Sequence, residues 1–259
     1  MRRSLITAAV AVAAVAVLPQ VAQGATLHQD GKHRVLLQDT AGDANLVTVE
    51  GSKRVLIEDL NVPIEMEGVP ACMPVDAYSV SCAPSIRMYE LDLGDGFDVA
   101  TVNSTKPIEV EGGHGRDRFN AGLTDGPSQV RWIGGIGLDT ISYAHADAGV
   151  NVAPDLDAND GRPGDGDQVF NDVEAIVGSQ HDDVLTGGRH ALSLNGFGGN
   201  DAITGGSGAE TLLGGEGSDR IDARDGAADS IDCGGWPFAD LALVDVTEAS
   251  VTGCSTVEF

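Results

Sequence analysis

The chain has 259 residues, enough for one extended domain, and carries 40 acidic against 15 basic side chains, a formal charge of −25. A molecule so acidic repels nucleic acid and anionic membrane surfaces, so neither is an expected partner. Acidic chains poor in hydrophobic residues stay disordered, but here 42% of residues are hydrophobic and recur at regular spacing, with 35 glycines and 4% aromatics, which points to a glycine-rich fold that needs cations to neutralise it.

Arg2 and Arg3 precede an uncharged apolar run, Leu5 to Leu18, that ends near Ala22-Gln23-Gly24. Residues 1–24 therefore read as a secretory signal peptide, too short to span a bilayer, and the mature protein is expected to be extracellular and not inserted in a membrane. The arginine pair hints at twin-arginine export, to which MRRSLI is a weak match, so the export route stays open. Residues 25–88 offer alternating strands at Arg34 to Leu37, Leu46 to Glu50 and Val55 to Asp59, separated by Ala41-Gly42-Asp43-Ala44-Asn45 and Gly51-Ser52-Lys53. They are expected to form a strand region that caps the open end of a solenoid. Cys72 and Cys82 bracket nine residues, and a disulfide is expected in an exported chain; zinc is the alternative, disfavoured because no histidine is near.

Residues 89–177 carry three related turns, LGDGFD (Leu93 to Asp98), GGHGRD (Gly112 to Asp117) and GGIGLD (Gly134 to Asp139). Alternating strands precede them at Tyr89-Leu91-Leu93, Ile108-Val110 and Val130-Trp132. The aspartates are 19 and then 22 residues apart, so Asp98, Asp117 and Asp139 should stack on one edge as candidate cation ligands. A purely structural solenoid is the competing reading, because the turns opposite lack the motif. DLDANDGRPGDGDQ, from Asp155 to Gln168, begins like an EF-hand loop. Asp160 stands at the glycine position and Gly166 at that of the bidentate glutamate, so a surface loop with loosely held calcium is expected instead. Val169 to Val177 reads as one strand.

Residues 178–232 hold the most regular stretch. GSQHDDVLT, GGRHALSLN, GFGGNDAIT, GGSGAETLL and GGEGSDRID follow one another in nines from Gly178 to Asp222. Leu185, Leu194, Ile203, Leu212 and Ile221 occupy position eight, an apolar column of the kind that fills a solenoid. Position six is Asp183, Leu192, Asp201, Glu210 and Asp219. Glycines at positions one, two and four are expected to adopt positive φ in a turn, and the last three residues a short strand. Turn carbonyls with carboxylates form an all-oxygen donor set suited to Ca²⁺ rather than to zinc or copper. After Asp222 the register slips by one, placing Asp229 and Ile231 where a sixth unit would put its carboxylate and core residue. In residues 233–259, Trp236, Phe238 and Phe259, stapled by a Cys233–Cys254 bond, are expected to cover the last apolar layer.

These units resemble the hemolysin-type (RTX) calcium-binding repeats, GGxGxD followed by x-U-x; GGEGSDRID fits throughout, and GFGGNDAIT departs only at Phe197. The resemblance implies an all-β, right-handed parallel β-roll or β-solenoid with two nonapeptides per coil and calcium shared between units n and n+2. Asp183, Asp201 and Asp219 would then share one edge and hold two ions. Leu192, Glu210 and Asp229 would share the other, weakened by the leucine and by a glutamate one methylene too long. RTX toxins exported by the type I route carry no such leader, so the implied relation is through the repeats. Catalysis is not expected, since none of the six histidines accompanies a nucleophile motif such as GxSxG. A parallel β-helix carbohydrate enzyme would need a basic, aromatic groove that this composition disfavours. The expectation is a secreted calcium-binding protein that folds with its ion, with an adhesion or matrix-assembly module rigidified by calcium as the alternative; no macromolecular partner is legible.

Overall fold

A computed structural model of the chain describes residues 25–259 apart from positions 31–32, 40–41, 43, 52, 124–125, 156, 236–238, 247 and 249. The expected leader, parts of both expected N-terminal turns and the Trp236-Pro237-Phe238 cluster lie outside the described residues.

A strand of three residues cannot hold itself, so each nonapeptide must stack on a like neighbour. The described residues form strands and no helix, gathered in sheets of eight, twelve and six strands. Val184–Thr186, Ala202–Thr204 and Arg220–Asp222 pair in parallel, with Leu185, Ile203 and Ile221 in register in the six-stranded sheet. The units between them contribute Ser193–Gly198, Thr211–Glu216 and Ser230–Asp232 to the twelve-stranded sheet, with Leu194, Leu212 and Ile231 in register. Alternate units thus fall on alternate sheets, and the one-residue slip after Asp222 is absorbed with Ile231 still in its column. From Met88–Asp92 onward the chain alternates between the twelve-stranded sheet and one of the other two, except where it passes through Asn151–Val152 and Gln168–Val169. The architecture is solenoid-like, with parallel pairing throughout this part.

The inward columns merge into one hydrophobic cluster running from Ala25 to Val244. Its composition changes along the chain. Tyr89, Phe119, Trp132 and Tyr143 fill the first half, with the Phe119 and Trp132 rings 5.4 Å apart. From Ile176 to Ile231 the columns are built from leucine and isoleucine, one per strand, each burial contributing about 1.5–3 kcal/mol.

At the N-terminal end, Ala25–Asp30 pairs antiparallel with Arg34–Gln38, and Leu46–Glu50, Val55–Asp59, Ser79–Cys82 and Cys72–Pro74 follow one another antiparallel. Cys72 faces Cys82 across the last pair and is disulfide-bonded to it. Arg34–Gln38 and Leu46–Glu50 also begin the parallel stacks, on Met88–Asp92 and Val99–Asn103.

Three expectations need correction. Val169 to Val177 is two strands, Gln168–Val169 and Ala175–Val177, because Phe170 to Val173 closes a turn with Asn171 and Asp172 at its middle. Residues 233–259 continue the stack: Leu241–Leu243 and Thr256–Glu258 extend the six-stranded sheet, and Ser250–Thr252 extends the twelve-stranded one. The Cys233–Cys254 bond is present, but Phe259 is 86% exposed and covers no apolar layer. The 155–168 segment is a surface loop only in part, since Asp157 is exposed while Asp160, Asp165 and Asp167 turn onto the chain's own donors. Asp160 accepts the Ala153 and Val169 N–H groups, Asp167 accepts Val130 N–H, and Asp165 accepts Ser128 N–H and the Arg162 side chain.

Candidate metal centre

In this fold a carboxylate two residues before an inward apolar side chain stands where a turn enters a strand. Such carboxylates form two ladders. At the entry to the twelve-stranded sheet, Asp98 Oδ1 accepts Asn45 N–H at 2.6 Å, Asp117 Oδ1 accepts Asp98 N–H at 2.9 Å, and Asp139 Oδ1 accepts Asp117 N–H at 2.8 Å. Glu174 Oε2 accepts Asp139 N–H at 2.8 Å, Leu192 then interrupts, and Asp229 Oδ1 accepts Glu210 N–H at 2.9 Å. At the entry to the six-stranded sheet, Asp183 accepts Val150 N–H at 2.7 Å, Asp201 accepts Asp183 N–H at 2.8 Å, Asp219 accepts Asp201 N–H at 2.9 Å and Asp240 accepts Asp219 N–H at 3.0 Å. Each rung is a charge-assisted hydrogen bond that fixes one coil against the next.

All eight carboxylates singled out from sequence, Asp98, Asp117, Asp139, Asp183, Asp201, Glu210, Asp219 and Asp229, are buried on these ladders, Glu210 the most exposed at 3%. Asp98, Asp117 and Asp139 do stack on one edge, and that edge is the one continued by Leu192, Glu210 and Asp229. Sequence reasoning missed Glu174 and Asp240, and Asn45 as the first rung. Glu174-Ala175-Ile176 and Asp240-Leu241-Ala242 carry the same acid-x-apolar signal as Asp117-Arg118-Phe119, hidden by irregular spacing.

The second oxygen of these carboxylates is the informative one. Buried Oδ2 of Asp98, Asp117, Asp139, Asp201, Asp219, Asp229 and Asp240, and Oε2 of Glu210, accept from no N–H or O–H donor. Buried acceptors are ordinarily satisfied, and one left over at turn after turn calls for a water or an ion. Asp183 differs, since Ser179 donates its N–H to Oδ2 and its hydroxyl to Oδ1.

The glycine at position one explains where that oxygen lies. A Cβ on Gly196 would stand 2.1 Å from Asp201 Oδ2 and 2.5 Å from the Gly214 carbonyl oxygen; on Gly214 it would stand 2.4 Å from Asp219 Oδ2 and 2.7 Å from the Cys233 carbonyl. Two acceptors therefore face one another over the glycine, an arrangement that a hard cation reconciles when the carboxylate is ionised and a proton on the carboxyl reconciles when it is not. This glycine is needed for space, not for positive φ as expected from sequence. Position two adopts positive φ at Phe197 and Gly215, with φ 77° and 110°, but not at Gly188 or Gly206.

Burial raises these carboxyls above their usual range because the charged form loses its solvation, with neighbouring carboxylates adding to the effect. Asp98 and Asp201 are pushed up to about 7, Asp139 to about 6 and Glu210 to about 7. Asp117, Asp183, Asp219 and Asp229 move the same way, restrained by the N–H groups they accept. Without a cation these sites resist full ionisation at neutral pH. The donor set is oxygen only, with no thiolate or imidazole on either ladder, which fits Ca²⁺ and disfavours softer metals.

Compared with models of known protein families and with curated proteins, the sequence matches none.

Proposed function

We propose that the chain is a secreted calcium-binding protein of the RTX type, a right-handed β-roll with two nonapeptides per coil, whose folding is coupled to its ions and which performs no catalysis. The observation that carries this reading is the unpartnered second carboxylate oxygen, repeated from turn to turn along two edges and facing a carbonyl of the next coil. Asp201 and Asp219, with the carbonyls of Gly214 and Cys233, would hold calcium at the entry to the six-stranded sheet, and Asp98, Asp117 and Asp139 at the other edge. Asp240 extends the first set by one rung. Asp183 contributes less, its oxygens being taken by Ser179. A bound hard cation supplies charge neutralisation and oxygen coordination. The residues themselves set register through one oxygen and keep the other free of protein donors.

Circular dichroism in chelator and then in millimolar calcium tests the reading, together with calorimetric stoichiometry. Residues 178–259 should be largely unfolded in chelator and gain β signal with several ions bound per chain. An unchanged spectrum and no heat of binding would overturn it.

A further inference from the structure

Of the two ladders, the one the repeat leaves weaker holds the densest group of carboxylates. Glu210, Asp225 and Asp229 each offer an oxygen, and these lie within 4.8 Å of one another. Two oxygens on one Ca²⁺ stand at most about 5 Å apart, since each Ca–O distance is about 2.3–2.6 Å. Asp225 is no part of the nonapeptide. It lies in the irregular turn 223–228, where the register slips, and Gly226 there has φ 90°. Its Oδ1 accepts Ala227 N–H at 2.7 Å, which fixes the turn that brings it to the pair.

The second observation is the state of the other two residues. Glu210 is 3% exposed and Asp229 fully buried, and Oε2 of the one and Oδ2 of the other accept from no N–H or O–H donor. Their remaining oxygens are used, Glu210 Oε1 by Gly208 N–H at 3.0 Å and Asp229 Oδ1 by Glu210 N–H, and the two carboxyls lie close enough to share a proton that a bound cation would displace. Among the described residues no cationic side chain reaches the three. Arg224, the cation beside them in sequence, is paired with Asp222 at 2.6 Å. Gly205 and Gly206 pack against the Glu210 carboxyl, and together with Asp225 they line an open surface pocket of about 480 Å³ beside it.

We propose that Glu210, Asp225 and Asp229 form a divalent-cation site, selective for a hard ion such as Ca²⁺, in which the non-repeat Asp225 adds a third carboxylate to the Glu210–Asp229 rung. The site rests on the proposed calcium function and takes two of its ligands from the repeated turns, but its third ligand comes from outside them, so its loss can be read apart from the other sites. Three carboxylates on one ion make it the tightest site of the chain, since ligand charge count sets affinity in calcium sites.

Calorimetric titration with CaCl₂ of the full chain, the exposed-site variant Asp225→Asn, Glu210→Gln and Asp201→Asn tests it. Asp225→Asn should remove one ion per chain, or weaken the tightest site at least about tenfold, leaving the calcium-saturated dichroism spectrum and the other sites unchanged; Glu210→Gln should remove the same site and Asp201→Asn a different one. Unaltered binding by Asp225→Asn, beside a wild type that binds several ions, would overturn this site and leave the repeat reading standing. A wild type whose only ion is lost with Asp225→Asn would uphold this site and refute the repeated ones. A wild type that binds no ion would refute both.

Discussion

Asn in place of Asp201 separates the two jobs of a ladder carboxylate. The substitution keeps an acceptor for Asp183 N–H and replaces the second oxygen by an amide donor that can face the Gly214 carbonyl. In chelator at pH 7 it removes a carboxyl that burial pushes from 3.8 up to about 7. Full burial would make such a shift worth about 4 kcal/mol; at an edge screened by water, about 1–2 kcal/mol is the working figure. Asp201→Asn should therefore stabilise the chelated protein by that amount. In calcium the sign reverses. A site filled at about 100 times its dissociation constant contributes about 2.7 kcal/mol, which the amide forfeits. Urea melts followed by circular dichroism in EDTA and in millimolar calcium give both numbers. A substitution that stabilises equally in the two buffers would mean that Asp201 sets register alone and that no ion depends on it.

The same burial predicts a pH dependence in chelator. The folded chain retains protons on Asp98, Asp201 and Glu210 that the unfolded chain has already released, so stability should fall as the pH rises from about 4 to about 7, and calcium should flatten the slope; a urea midpoint that rises across this window in chelator would contradict the buried-carboxylate picture. Phe197 holds φ 77° at the position where Gly215 pairs with it at φ 110°. Left-handed backbone costs a non-glycine residue about 1–2 kcal/mol, of which glycine's greater unfolded-state entropy returns about 0.5–1 kcal/mol, so Phe197→Gly should raise stability by about 0.5–1 kcal/mol. A lower melting temperature would show that the 40%-exposed ring packs more than its exposure suggests.

Where the pattern is strict, the sequence is legible almost to the residue. Leu46–Glu50 and Val55–Asp59 follow from alternation, and the pairing of Leu185 with Ile203 and Ile221 follows from a period of nine without insertions. Both disulfides follow from four cysteines in two close pairs, once export is expected from the sequence. Insertions erased the signal elsewhere. Glu174 lies 35 residues after Asp139 because the 155–168 excursion intervenes, and Asp240 lies 21 after Asp219 because the Cys233 segment does. Leu241–Leu243 falls where the valine-rich run before Cys254 predicts a strand, but Ser250–Thr252 and Thr256–Glu258 are too short and too polar to be read without their partners. Asp225 could not be found at all from spacing, since only the fold of its turn carries it to Glu210 and Asp229.

The irregular spacings explain how the molecule tolerates insertions. Rungs join residues 18, 19, 21, 22 and 35 apart, yet each uses the same bond, a carboxylate oxygen accepting the N–H of its counterpart one coil earlier. Register is therefore set at the point where each turn enters its strand, and the chain between is free to vary in length. What varies instead is how much each coil can rely on its core. The first half buries Tyr89, Phe119, Trp132 and Tyr143, large side chains that close a coil by dispersion and hydrophobic burial. Beyond Ile176 the three-residue strands bury one leucine or isoleucine each, except that Leu241–Leu243 buries Ala242 and Leu243 and the last two strands bury no side chain fully. Against that small gain stand glycine-rich turns with a high ordering cost and carboxylates that repel along the edge. The dependence on cations should therefore be concentrated where the repeat is most regular. On the proposed reading, the strictness of the nonapeptide is itself the mark of a segment whose core is too thin to fold without them.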